Sequence, residues 1–197
     1  MTFKSPDPVY LTQEELNRIA WLPLNGRLER VRDLFLFLCG SGLEYADALA
    51  LEPDDVKCKD GIWYIQKKRV KTGVEYTAIL INSAMDVWTK YEGLLLIPSN
   101  QQVNKALKEI ATLAGIRPSV KLSTIVARHC YATSLLSGTY HLAGSDRTQP
   151  ITIDVLRRCL GHQHYSMSMV YASLLDESLF NAFKPKARPA GLSSGSE

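Results

Sequence analysis

What most restricts the fold of this chain is a change of hydrophobic period that happens twice. Up to Leu51 apolar residues recur three and four positions apart. From Val56 to Leu80 they shorten into β-prone runs, and from Ser83 the helical spacing returns. The β interval contains Ile62-Trp63-Tyr64-Ile65 and Val74 through Leu80, separated by turn formers at Lys59-Asp60-Gly61 and Lys71-Thr72-Gly73. Such a chain is expected to be mainly α (α+β), a helical domain with one small three-stranded antiparallel sheet inserted.

Local signals set the boundaries. Met1 to Tyr10 carry two prolines and no periodicity and read as an extended lead-in. Thr12 with Glu15 forms a capping-box pattern, and Leu11 with Leu16 stands at staple spacing, so a helix starts near Thr12 and closes at Pro23 and Asn25-Gly26. Leu28, Val31, Leu34, Phe35 and Leu38 form the apolar stripe of a core helix that Gly40-Ser41-Gly42 is expected to break. A shorter helix follows from about Leu43 to Leu51, before Pro53. After the sheet, helices are expected over Ser83 to Tyr91, from Val103 to Leu113, over Ser123 to Leu136 and over Thr152 to Leu160. Gly138 to Pro150 reads as an exposed loop, Leu175 to Phe183 as a last amphipathic piece, and 184–197 as a disordered tail. The domain proper is therefore expected to span 11–183, with 1–10 as a linker.

Composition narrows the class. With 46% hydrophobic and 22% charged residues over 197 positions, the chain can bury the core of one globular domain. No apolar run approaches the roughly 20 residues that a membrane-spanning helix needs, so no membrane partner is expected and the cytoplasm is the expected compartment. Cys39, Cys58, Cys130 and Cys159 show no CxxC spacing and read as reduced packing residues. His162 and His164 have no third ligand at a suitable spacing, so neither a metal nor another cofactor is expected. A net charge of +3 permits nucleic-acid binding without requiring it.

Three separated stretches carry the chemistry. They are Lys71-Thr72-Gly73 between two strands, Ala127-Arg128-His129-Cys130-Tyr131-Ala132-Thr133 on a helix, and Leu160-Gly161-His162 followed nine positions later by Tyr171. Taken singly each is weak, and Tyr171 alone reads as an ordinary half-buried helix tyrosine. Together, in this order and spacing from about Leu11 to Leu179, they resemble the tyrosine recombinase or phage integrase family. That family orders an arginine, a β-hairpin lysine, an H-x-x-R helix, an L-G-H turn and a tyrosine.

The resemblance implies a catalytic domain that cuts and rejoins DNA through a phosphotyrosine intermediate, in DNA integration or recombination serving a mobile element. Tyr171 would be the nucleophile, Arg128 the phosphate clamp, His162 a second hydrogen-bond donor and Lys71 the proton donor to the departing sugar oxygen. A phosphodiester repels an incoming nucleophile, so cationic donors on its oxygens and an acid for its leaving group are the residue types that such a cut requires. Keeping the bond energy in a covalent phosphotyrosine removes any need for a nucleotide cofactor.

Two positions depart from the family pattern. Glu44, in Ser41-Gly42-Leu43-Glu44, stands where the first catalytic arginine is expected. Ile125 stands three residues before Arg128, where the pattern has histidine. His129 is one helical step from Arg128 and is read as out of register with the missing histidine. His141 or Arg147 of the long loop is an alternative source for a missing group. Loss of a cationic clamp typically costs about 10³ to 10⁵ in phosphoryl-transfer rate, and a carboxylate there would repel the phosphate or pair with Arg128. Impaired cleavage is the expectation.

Lys67, Lys68, Arg69, Lys105, Lys108, Arg157 and Arg158 form an expected track for the phosphates of double-stranded DNA, since positioning contacts need cations without sequence information. The bland reading is a solvated strand edge for the first three and the polar face of its own helix for the last two. Full-length members resemble a clamp, with a separate helical domain before the catalytic one, and this chain begins where the linker to it would lie. Leu175 to Phe183 either docks on a second copy, as the resemblance implies for a homo-oligomer, or folds onto its own domain. The rival to the enzyme is a catalytically inactive module of the same fold that grips DNA or a recombinase partner.

Overall fold

A computed structural model describes residues 9–142 and 149–171. Part of the lead-in, part of the loop from Gly138 to Pro150, the piece from Leu175 to Phe183 and the tail lie outside the described residues.

The first helix, α1 (Gln13–Ala20), starts where its capping box demands. The Glu15 amide donates to the Thr12 hydroxyl, and the Thr12 amide donates to the Glu15 carboxylate. Helix α2 (Gly26–Ser41) is the central rod and buries Val31, Leu34, Phe35, Phe37 and Leu38. The expected break at Gly40-Ser41-Gly42 comes two residues late, because the helix runs through Gly40 and Ser41 and stops at Gly42. The reason is packing. A Cβ on Gly40 would lie 2.5 Å from the amide nitrogen of Ala84, so this glycine lets α2 approach the helix that carries Ala84 and is not a helix stop.

Helix α3 (Tyr45–Leu49) is short, and a 3₁₀ turn (Pro53–Asp55) leads into the meander β1 (Val56–Lys59), β2 (Ile62–Lys68) and β3 (Glu75–Ile79). The sheet order is β1-β2-β3, antiparallel throughout, with Ile65 opposite Ala78 and Lys68 opposite Glu75. Ile65, Tyr76 and Ala78 point inward and are buried, as the two-residue repeat requires. Helix α4 (Asn82–Lys90) packs on α2, which also meets α5 (Asn100–Leu113) and α6 (Thr124–Ser137). Helix α7 (Ile153–Leu160) lies against β3, and α8 (Tyr165–Ser168) with the 3₁₀ turn Met169–Tyr171 follows.

Two apolar clusters result. One gathers around α2, and the other joins the C-terminal half of α6 to α7 and Tyr171. Lys90 anchors α4 to α2, since its ammonium and the Tyr91 hydroxyl both donate to the buried Asp33 carboxylate. Three of the four cysteines are packing residues as expected, but Cys58 is exposed, although it stands opposite Trp63 on the same face of β1 as Val56. Among the described residues no helix is long and apolar enough to cross a membrane.

Candidate active site

Helix α6 does most of the positioning. It is capped by the Ser123 hydroxyl, which accepts from the Val126 amide, and it buries Ala127, Cys130, Tyr131 and Leu135 in the core. That choice of buried face turns Ile125, Arg128 and His129 toward a cavity of about 590 Å³, which Glu44, Lys71, His162 and Tyr171 also line. Four distant stretches therefore meet at one concavity: the α2–α3 turn, the β2–β3 hairpin, α6, and the segment after α7.

Arg128 is largely buried and is held by two carbonyl oxygens, its Nη1 donating to Gly42 and its Nη2 to Leu160, each at 2.7 Å. Both carbonyls belong to helix ends closed by glycine. Gly42 has φ +66°, and a Cβ there would lie 2.3 Å from the Tyr131 ring. Gly161 has φ +61°, and a Cβ there would lie 2.8 Å from Nε of Arg69. At both positions only glycine satisfies the left-handed backbone and the space.

Arg69 corrects the expectation of a phosphate track along the whole basic run. It is buried, pairs with Asp47 at 2.6 Å, stacks 4.1 Å above the Tyr76 ring and donates to the same Leu160 carbonyl as Arg128. Strand β2 alternates faces, so Arg69 turns inward from its neighbour Lys68 and props the site from below. Lys67 is also committed, to the Asp55 carboxylate at 2.5 Å and the Ala50 carbonyl at 2.8 Å. Lys68, Lys105, Lys108 and Arg158 are exposed, and Arg157 is half-buried. Burial, followed by the nearby Arg69 charge, lowers the pKa of Arg128 to about 10, which still leaves it cationic at neutral pH.

His162 is buried and shares a hydrogen bond between Nδ1 and the hydroxyl of the fully buried Ser168, at 2.8 Å. Burial, then Arg128 and Arg69, drive its pKa down to about 3, so the ring is neutral across the physiological range. Tyr171 is almost wholly covered, and burial pushes its pKa up to about 12. Its hydroxyl lies 2.8 Å from Nδ1 of His129, with the rings edge to face at 5.6 Å between centroids.

The rim is different. Lys71 stands at the tip of the β2–β3 hairpin with 71% of its side chain exposed. Glu44 precedes α3 and reaches both cations, 3.1 Å from Lys71 Nζ and 3.9 Å from Arg128 Nη2. The expected pairing of Glu44 with Arg128 is thus present but long, and the closer partner is Lys71. Ile125 is 65% exposed at the mouth of the cavity, a large apolar side chain facing solvent.

His129 corrects the register argument. Four residues advance a helix by one turn plus roughly 40°, so His129 shares a face with Ile125 and lines the same cavity. The i, i+4 relation to Ile125 was the signal that could have found it. His141, one alternative source for a missing group, lines a separate cavity with Cys39 and Cys130, and Arg147 lies outside the described residues.

The model of the phage integrase family matches residues 10–178. No curated protein sequence matches the chain. Among solved structures, the XerH site-specific recombinase bound to palindromic difH substrate, in a post-cleavage complex, superposes with a TM-score of 0.67 at 18% identity, covering 90% of this chain and 53% of that one. The Tn1549 transposon integrase in complex with circular intermediate DNA gives 0.59 at 12% identity, over 85% of this chain and 63% of that one. The catalytic domain of bacteriophage HP1 integrase gives 0.54 at 21% identity, over 92% of this chain and 98% of that one. The chain thus spans about half the length of the XerH structure and nearly the full length of the isolated HP1 domain.

Proposed function

Because the chain belongs to the phage integrase family, we propose that it cleaves and rejoins double-stranded DNA through Tyr171, at a rate held down by Glu44. The observation that carries this reading is the gathering, in one cavity, of a clamped guanidinium, a neutral imidazole, a hairpin lysine and a tyrosine hydroxyl.

Arg128 would grip a non-bridging oxygen of the phosphate. Its two carbonyl bonds fix the guanidinium plane and spend only part of its donor set. His162 would add a hydrogen bond. With the Ser168 hydroxyl donating to Nδ1, the neutral ring keeps its proton on Nε2, where a phosphate oxygen can accept it. Tyr171 would attack phosphorus, and Lys71 would protonate the departing sugar oxygen, its exposed hairpin tip giving it the reach. Lys68, Lys105, Lys108, Arg157 and Arg158 would hold flanking phosphates and set position rather than sequence. The span 11–183 would constitute the catalytic domain, preceded by the linker 1–10. Leu175 to Phe183 would engage a second copy.

Glu44 supports the second reading, an inactive module of the same fold that grips DNA or a recombinase partner. Its carboxylate already pairs with the two cations that the phosphate would need. The readings separate on a pool of nicked duplexes with randomised sequence around the nick, in which loss of a short strand end traps the covalent product. The enzyme gives DNA linked to protein, absent in Tyr171→Phe. The module gives salt-sensitive retention of duplex and no linkage.

A further inference from the structure

We propose that His129 is the group that takes the proton from Tyr171 as the tyrosine attacks, so that this chain supplies from position 129 a proton acceptor that position 125 lacks. The inference rests on the cleavage reading above and names the base for it.

The Tyr171 hydroxyl meets Nδ1 of His129 at 2.8 Å, a hydrogen-bond distance, and among the described residues it meets no other side-chain partner. Nε2 of His129 forms no hydrogen bond among the described residues, which leaves that nitrogen to carry the ring proton while Nδ1 accepts. Ile125 offers neither lone pair nor proton at the adjacent turn of the same face.

The electrostatics agree. Burial, then the Arg128 guanidinium, hold His129 below its usual 6.5, so its acceptor form dominates at neutral pH. Burial raises Tyr171 to about 12, so the hydroxyl does not ionise on its own and needs an acceptor in contact. The other ionisable groups that line the cavity are Glu44, Tyr45, Lys71, Arg128 and His162. Arg128 stays charged at neutral pH, and His162, held near 3, is neutral there.

The step balances. Tyr171 Oη bonds to phosphorus as its O–H bond breaks and the proton passes to His129 Nδ1. The bond from phosphorus to the sugar oxygen breaks, and that oxygen takes a proton from Lys71. Rejoining runs the same transfers in reverse, with the His129 imidazolium returning its proton to the tyrosine oxygen.

The test measures covalent linkage to the nicked pool by the full chain and by Glu44→Arg, each with and without His129→Ala, between pH 5 and 8. The expected rate falls as pH drops through the lowered His129 value. His129→Ala should slow linkage about 100-fold, abolish that acid limb and respond to added imidazole. An unchanged rate and pH profile in His129→Ala would overturn the proposal. If neither the wild-type chain nor Glu44→Arg forms a linkage, the cleavage reading fails and the proposal falls with it, whereas linkage with an unchanged profile in His129→Ala sinks the proposal alone. If His129→Ala does not fold, the ¹⁵N shifts of the His129 ring in the free protein decide it. An unprotonated Nδ1 accepting from Tyr171 supports it, and an Nδ1–H donating to the phenol oxygen overturns it.

Discussion

The floor of the cavity and its rim are built on opposite principles. On the floor, Arg128 and Arg69 share the Leu160 carbonyl, Asp47 neutralises Arg69, and Gly42 and Gly161 leave no room for a side chain. At the rim, Glu44 and Lys71 face solvent, joined by an ion pair that screening weakens. The difference teaches where the chain departs from its family pattern. The departures, Glu44 and Ile125, both stand at the mouth, where a substitution costs little folding energy. The parts whose loss would cost stability are all present.

Four experiments would break or sharpen that contrast. Arg128→Ala should have the largest effect, lowering the linkage rate by about 10³ to 10⁵ and also lowering Tm, because the Gly42 carbonyl loses its side-chain donor and the Leu160 carbonyl keeps only Arg69. A floor residue that abolished linkage with no change in Tm would blur the two regions. Glu44→Arg should act in the opposite direction, raising the linkage rate by up to about 10³ while Tm stays within a few degrees, as read by linkage assay and thermal melt.

Arg69→Ala should destabilise the fold by about 3 to 5 kcal/mol, since it leaves Asp47 buried without its partner. Lys68→Ala, one residue away, should leave stability unchanged and reduce the salt slope of DNA binding by about one. Denaturant titration and binding at graded salt check the pair. Ile125→His should be the mildest, changing linkage less than tenfold, because His129 already serves the tyrosine.

A pH experiment addresses the floor alone. His162 has a folded pKa near 3, below the ordinary 6.5 of the unfolded chain. Between those values the unfolded state binds the proton that the folded state refuses, so stability is full above 6.5 and is lost as pH falls through that window. The drop in Tm from pH 7 to pH 5 should shrink in His162→Gln.

The fold was legible wherever a local signal decided it. Thr12 and Glu15 marked the start of α1, and the spacing of Val56 to Leu80 announced the meander with its Lys71 tip. It was not legible at Gly40, where the reason for glycine is the backbone of another helix. Arg69 was misjudged for the same kind of reason. Within a run of cations nothing local tells that Asp47, 22 positions earlier, draws one of them inward. His129 was passed over because its register was taken from its neighbour Arg128, whereas a helix face is read at three and four residues. The order and spacing of Lys71, Arg128, His162 and Tyr171 pointed to one site, but which nitrogen meets the tyrosine hydroxyl is set by tertiary packing.

The measurement that bears most directly on the account is a structure of Tyr171→Phe bound to a duplex recovered from the randomised pool. The account predicts one backbone phosphate within hydrogen-bond distance of both Arg128 and His162 Nε2, with the edge of the substituted phenyl ring beside it and Glu44 displaced from Lys71. DNA lying along another surface, with the cavity empty of phosphate and the Glu44 pairs unbroken, would contradict it.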